Sequence, residues 1–139
     1  MKNLLITGAT GFIGQHLITK LSKKNKVFLI VKRNRKNLKK IKLLIKKSKK
    51  NLNPIFFNKY SELEKKIAKR KIYAAVNLAT RYVKIHKHND IADIVNSNIL
   101  FCTLILDICV KVKVKKFINI STCIMQMVDG KKENSENLY

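Results

Sequence analysis

Short apolar runs alternate with stretches in which apolar residues recur every three or four positions along most of the chain. That alternation predicts strands separated by helices, the signature of a parallel α/β sheet. The first strand is expected at residues 3–7, an apolar run that ends at a glycine. A helix starts near Gly11, with Ile13, Leu17 and Leu21 spaced four apart on one face. Residues 27–32 are apolar without alternation until their end, as in a strand covered on both faces. In the lysine-rich helix that follows, Leu38, Ile41 and Ile45 form the expected buried stripe. A weaker third strand is read at residues 55–57 after Pro54, then a short helix around Leu63 and Ile67 and a clear fourth strand at 73–78. The longest helix is expected at about 91–110, with Ile91, Val95, Cys102, Ile105 and Cys109 tracing its stripe. A fifth strand, 117–121, precedes a polar stretch after Val128 that reads as loop. Right-handed crossovers give these strands the order 3-2-1-4-5, with a switch point between strands 1 and 4. Ligands of such sheets bind at the carboxyl ends of the strands beside that point.

Composition refines the class of protein. At 139 residues the chain suits one domain, and a hydrophobic share of 46% separates it from disordered tails. The runs at 27–31 and 99–108 are each too short or too interrupted to span a bilayer, and no signal peptide is visible, so a cytoplasmic location is expected without a membrane. Cys102, Cys109 and Cys123 lack metal-ligand spacing and read as reduced thiols; no metal site is expected. His86 and His88, two apart in a polar loop, read as exposed rather than metal-bound. The formal net charge of +23 favours polyanions in principle. It consists mainly of lysine on solvated faces, beside abundant Asn and Ile, and only Lys32 to Lys50 is dense enough to be a patch. That pattern argues against nucleic acid as the main partner, and a basic RNA-associated protein is the weakest of the readings.

The chemistry concentrates in Thr7-Gly8-Ala9-Thr10-Gly11-Phe12-Ile13-Gly14. A phosphate reaches a helix N-terminus only where side chains leave room, and the turn needs backbone angles that glycine tolerates. Gly8 is expected to make the turn, Gly11 to admit a pyrophosphate, and Gly14 to let the helix pack on the sheet. The spacing is GxxGxxG, and its place between an apolar strand and an amphipathic helix is what gives it force.

This segment resembles the cofactor loop of the extended short-chain dehydrogenase/reductases, the NAD-dependent epimerase/dehydratase family, and three further segments resemble that family in the same order. Asn77-Leu78-Ala79-Thr80 resembles the segment beside the nicotinamide ribose. Asn98 lies where the family carries an asparagine in an N-V-x-G-T-like segment, whose Gly and Thr are Phe101 and Cys102 here. Residues 116–122 resemble the fifth strand that delivers a catalytic Ser or Thr, here Thr122 in preference to Ser121. The ending Glu136-Asn137-Leu138-Tyr139 resembles the approach to the family's Y-x-x-x-K motif, which makes Tyr139 the candidate base, with its lysine outside the sequence. A phenol with pKa near ~10 needs such a neighbouring positive charge to act near neutrality.

The resemblance implies a Rossmann-like, doubly wound, three-layer α/β/α fold over residues 1–139, an incomplete NAD(P)-binding domain truncated before the last strands and substrate lobe. It implies cofactor contacts from Gly8, Thr10, Gly11, Phe12, Ile13, Gly14, Lys32, Arg33, Leu78, Ala79, Thr80 and Asn98. Lys32 and Arg33 end strand 2 where NAD enzymes usually place a carboxylate, so NADP is favoured over NAD. Asn58 stands nearest to the family's adenine-contacting Asp. The function implied is a hydride-transferring epimerase, dehydratase or reductase acting on a sugar, with a nucleotide sugar as the expected substrate and a homodimer as the possible full-length assembly. The rival reading is a truncated, catalytically inactive nucleotide-binding remnant.

Overall fold

Continuous apolar strands bury both faces when helices cover them on either side, and that is the arrangement in the computed structural model, which describes residues 1–48 and 51–120. Strands β1 (Asn3–Ile6), β2 (Lys26–Lys32), β3 (Leu52–Phe57), β4 (Ala74–Asn77) and β5 (Lys116–Asn119) form one all-parallel sheet. Their order is β3-β2-β1-β4-β5, a Rossmann-like topology with the expected switch between β1 and β4. The register pairs Leu5 with Phe28 on one side and with Ala75 on the other.

Helices α1 (Phe12–Leu21) and α2 (Arg35–Ser48) follow β1 and β2, and their apolar residues join Ile6, Val27, Leu29 and Val31 in one core layer. The opposite layer packs α3 (Leu63–Ala68) and α5 (Phe101–Lys111) against Leu5, Phe28, Ile30, Ile55 and Phe57. Cys109 lies in this layer, and burial pushes its thiol pKa up to about 11. Between β4 and α5 run α4 (His88–Val95) and a π-helical turn, Asn96–Leu100. Asn34 starts α2 by accepting a hydrogen bond from the Asn37 amide at 2.8 Å, the usual work of an N-cap side chain.

Several expectations change in detail. In α1, Ile13 is 58% exposed, and the buried face is made by Gly14 and Ile18 with Leu17 and Leu21 beside them. In α2, Ile45 is 38% exposed while Leu44 packs with Ile41. The third strand begins at Leu52, with Pro54 inside it. That is tolerated because β3 pairs on one side only, so the missing N–H can face outward. Ile91 and Val95 are exposed; the buried stripe of the long helix is confined to its second half, where Phe101 and Ile108 join Ile105 and Cys109. The π turn also joins the helical segments into a 24-residue run, His88–Lys111, long and apolar enough by length and composition to cross a membrane. The short apolar runs seen in the sequence therefore understate this helix, although its Phe101, Ile105, Ile108 and Cys109 lie in the core against the sheet.

Candidate functional site: a cleft over the glycine turn

The chain must turn sharply where β1 ends, and Gly8 does so with φ of 65°. A side chain there would be strained by that backbone angle, and its Cβ would lie 2.6 Å from the backbone of Leu78 and 2.7 Å from the amide nitrogen of Ala79. Gly14 is glycine for packing: a Cβ would collide with the Gly8 carbonyl and lie 2.8 Å from Ala9. At Gly11 the nearest atom to a Cβ would be the Gly8 carbonyl oxygen at 3.2 Å, a contact that a shift of a few tenths of an ångström relieves. Gly11 occupies the N-cap of α1, no side chain caps that end, and no carboxylate lies in the first turn. Its backbone N–H groups and the positive end of the helix dipole therefore face a position suited to an anion.

Above this turn lies a cleft of about 630 Å³ at the carboxyl ends of the strands, within the range of about 300–1,000 Å³ typical of small-molecule sites. Gly8, Thr10 and Gly11 form its floor, and Ala79 and Thr80 form the wall beyond β4. Lys32, Lys36 and Lys40 bring three cations to the side next to β2 and α2. Lys36 and Lys40 are one helical turn apart, so they occupy the same face of α2. Phe57, Tyr60 and Phe101 close the far side as an aromatic cluster, with Phe57 and Phe101 stacked at 5.9 Å between ring centroids.

The wall is held by polar side chains. Asn98, in the π turn, accepts from the Arg81 amide at 2.7 Å and from the Thr80 hydroxyl at 3.2 Å, and donates to the Arg81 carbonyl at 3.0 Å. Arg81 pairs with Asp90 at 3.1 Å and Asp93 at 3.7 Å. The Lys87 backbone amide, with the Arg81 guanidinium, holds the Asp90 carboxyl below its ordinary pKa.

The fold thus gathers Gly8, Thr10, Gly11, Lys32, Ala79 and Thr80 around one cleft. Phe12 and Ile13 lie exposed on the first turn of α1, Gly14 is buried beneath it, and Leu78 packs into the core. Asn98 grips the loop rather than lining the cleft. Arg33 is not among the lining residues: its guanidinium lies over the Phe56 ring, 5.7 Å from the centroid. Asn58 is exposed, and Phe57 and Tyr60 line the cleft in that region instead. His86 and His88 are exposed. Ser121, Thr122, Cys123 and Tyr139 lie outside the described residues. Lys36, Lys40, Tyr60 and Phe101 were not identified as site residues from sequence; the four-residue spacing of the two lysines on a helix following strand 2 was the available signal.

A family model described as the NAD dependent epimerase/dehydratase family matches residues 4–138. No curated protein matches the chain. Among solved structures, the UDP-glucose 4-epimerase from Bifidobacterium longum, solved with NAD+ and UDP, is similar at 19% identity and a TM-score of 0.72, over 87% of this chain and 37% of that one. The UDP-glucose 4-epimerase from Stenotrophomonas maltophila, with bound NAD and formylated UDP-arabinopyranose, is similar at 16% identity and a TM-score of 0.74, over 89% and 38%. A variant of the actinorhodin polyketide ketoreductase, with NADPH, is similar at 19% identity and a TM-score of 0.68, over 93% and 56%. At these identities the likeness is one of fold, and the chain spans less than two thirds of each of these proteins.

Proposed function

The chain belongs to the NAD-dependent epimerase/dehydratase family, and from that premise we propose that its cleft holds NADP(H) for hydride transfer to and from a sugar, most simply a nucleotide-linked one. The observation that carries the proposal is the glycine turn opening an uncapped helix beneath a cationic cleft at the switch point of the sheet. The residues present fit a dinucleotide. The Gly11 amide is taken up by the Gly8 carbonyl at 3.0 Å; the first-turn amides of α1, from Phe12 onward, suit the pyrophosphate, and Thr80 and Ala79 flank the expected position of the nicotinamide ribose.

NADP is preferred to NAD because no carboxylate ends β2 to accept from ribose hydroxyls. Lys32, Lys36 and Lys40 would receive the 2′-phosphate, a role that Arg33, stacked on Phe56, is less well placed to share. When bound, the nicotinamide supplies the hydride acceptor and donor. Thr122 would hold the substrate oxygen, and Tyr139 would exchange the substrate proton, with its pKa lowered by a lysine that this sequence does not contain. The UDP-sugar epimerases similar in fold support a nucleotide-sugar substrate, and a cytoplasmic location remains the reading of the sequence alone. Ile91, Val95, Ile99, Leu106 and Val110, exposed at spacings of four, four, seven and four, support a homodimer built on this helix in the complete protein.

The test is a titration with NADPH and NADH before and after Lys36→Gln and Lys40→Gln. We expect the preference for NADPH to fall by about ten-fold for each lysine lost, the scale of a charge-assisted contact. Equal binding of the two cofactors by the unaltered chain would remove the assignment to NADP. Tight NADPH binding by the chain with no turnover of any nucleotide sugar would favour the inactive remnant.

A further inference from the structure

The carboxyl ends of β1, β4 and β5 are tied together through Thr7 and Asn77, whose hydrogen-bonding capacity is almost fully used, and through the side-chain oxygen of the exposed Asn119. Asn77, only 4% exposed, sits at the end of β4 between Thr7 and Asn119. The Thr7 hydroxyl accepts from the amides of Leu78 at 3.2 Å and Ala79 at 3.1 Å. Both of its lone pairs are then occupied, so its one hydrogen is left to donate to Asn77 Oδ1. That fixes the orientation of the Asn77 amide. Its Nδ2 must face the other way, where it donates to Asn119 Oδ1 at 2.9 Å and to Cys102 Sγ at 3.2 Å. The thiol is a weak acceptor, so Asn119 carries the stronger of the two bonds. The backbone reinforces the same junction, with the Ile120 amide donating to the Asn77 carbonyl at 3.1 Å.

On the other side, Thr7 leads directly into the Gly8 turn, whose backbone lies against Leu78 and Ala79. Ala79 lines the cleft. A single chain of directed hydrogen bonds thus runs from β5 through Asn77 to Thr7 and on to the amides beside the cleft wall. We infer that Asn119 is a positioning residue: through Asn77 it locks the end of β5 to the glycine turn, so that the strand end, the turn and the cleft wall at Ala79 form as one unit. This rests on the cofactor reading above. Removing the Asn119 acceptor leaves a buried Asn77 N–H with only a thiol to bond, and the favourable response is a shift or rotation of Asn77 that also disturbs Thr7.

The experiment compares Asn119→Leu, which removes the acceptor, with Asn119→Asp, which keeps an oxygen in the same place, and with Ile118→Ala, which weakens the same strand outside the chain of bonds. Asn119→Ala serves as a second truncation if the leucine variant fails to fold. NADPH affinity is read by nucleotide fluorescence, and hydrogen exchange is read at the amides of Leu78 and Ala79. Asn119→Leu should weaken NADPH binding about five-fold, the factor that one ordinary net hydrogen bond represents, and should speed exchange at Leu78 and Ala79. Asn119→Asp should restore both readouts, and Ile118→Ala should change neither. Unchanged binding or exchange in Asn119→Leu, or an aspartate variant as impaired as the leucine one, would overturn the inference. If the unaltered chain binds no NADPH, the cofactor reading fails, and the exchange at Leu78 and Ala79 decides the bonding chain by itself.

Discussion

At the scale of single residues, the three glycines of the turn serve three separable physical needs. Gly8 needs its backbone angle and has no room for a Cβ, whereas Gly11 has ordinary angles and a Cβ there would press only on the Gly8 carbonyl, at 3.2 Å. Gly8→Ala should therefore destabilise the fold by about 2 kcal/mol, the usual scale of a strained left-handed residue, as read by chemical denaturation. Gly11→Ala should leave the unfolding midpoint nearly unchanged and instead weaken NADPH binding, because its methyl would stand where the pyrophosphate approaches. A stability loss as large in Gly11→Ala as in Gly8→Ala would show that Gly11 serves packing after all. The spacing of these glycines was legible in the sequence. Their division of labour was suggested by it, and the surrounding atoms make that division testable.

At the scale of elements, the sequence reading located each of the five described strands and the switch point, and its errors have local causes. Ile13 was placed on the buried face of α1 because hydrophobic periodicity cannot register Gly14, whose lack of a side chain is what lets the helix approach the turn. Leu43, Leu44 and Ile45 are consecutive, so period alone could not choose among them; packing against β2 selected Leu44. The site was less legible than the sheet. Lys36 and Lys40 were hidden among many lysines, and Tyr60 and Phe101 enter the cleft only because β3 and α5 are neighbours in space. The π turn was also invisible to a regular helical period, yet it carries Asn98 to the loop after β4. Asn98→Ala should release that loop, with a loss of about 1 kcal/mol of local stability read as faster hydrogen exchange at the Arg81 amide. Unchanged exchange there would mean that the Arg81 ion pairs alone hold the wall.

At the scale of the molecule, charge is divided between the two helical layers. The first 61 residues, which supply β1, α1, β2, α2 and β3, contain no carboxylate. Among the described residues every ion pair draws its acid from residue 62 onward, as in Lys66–Glu62, Arg81–Asp90 and Lys111–Asp107. Lys32 and the α2 lysines Lys36 and Lys40 thus raise a positive field on one side of the cleft, and the one acid among its described lining residues, Asp93, is paired with Arg81. Such a field draws anionic ligands inward, and salt screens it over ~8 Å at physiological ionic strength against ~30 Å at 0.01 M. The association rate of NADPH should accordingly fall several-fold over that salt range while its dissociation rate changes little, as stopped-flow fluorescence would record. A salt-independent association rate would show that the charge is a solvated surface without a steering role.

We propose above all that the cleft over the glycine turn holds a nicotinamide dinucleotide phosphate. The most direct measurement is the set of backbone amide chemical shifts of the chain during titration with NADPH. Saturable shifts are expected at Gly8, Gly11, Phe12 and Ile13, at Lys32, Lys36 and Lys40, and at Ala79 and Thr80, with the amino ends of the strands unmoved. Saturable binding that shifts residues away from this cleft, or no binding at millimolar NADPH by a folded chain, would contradict it.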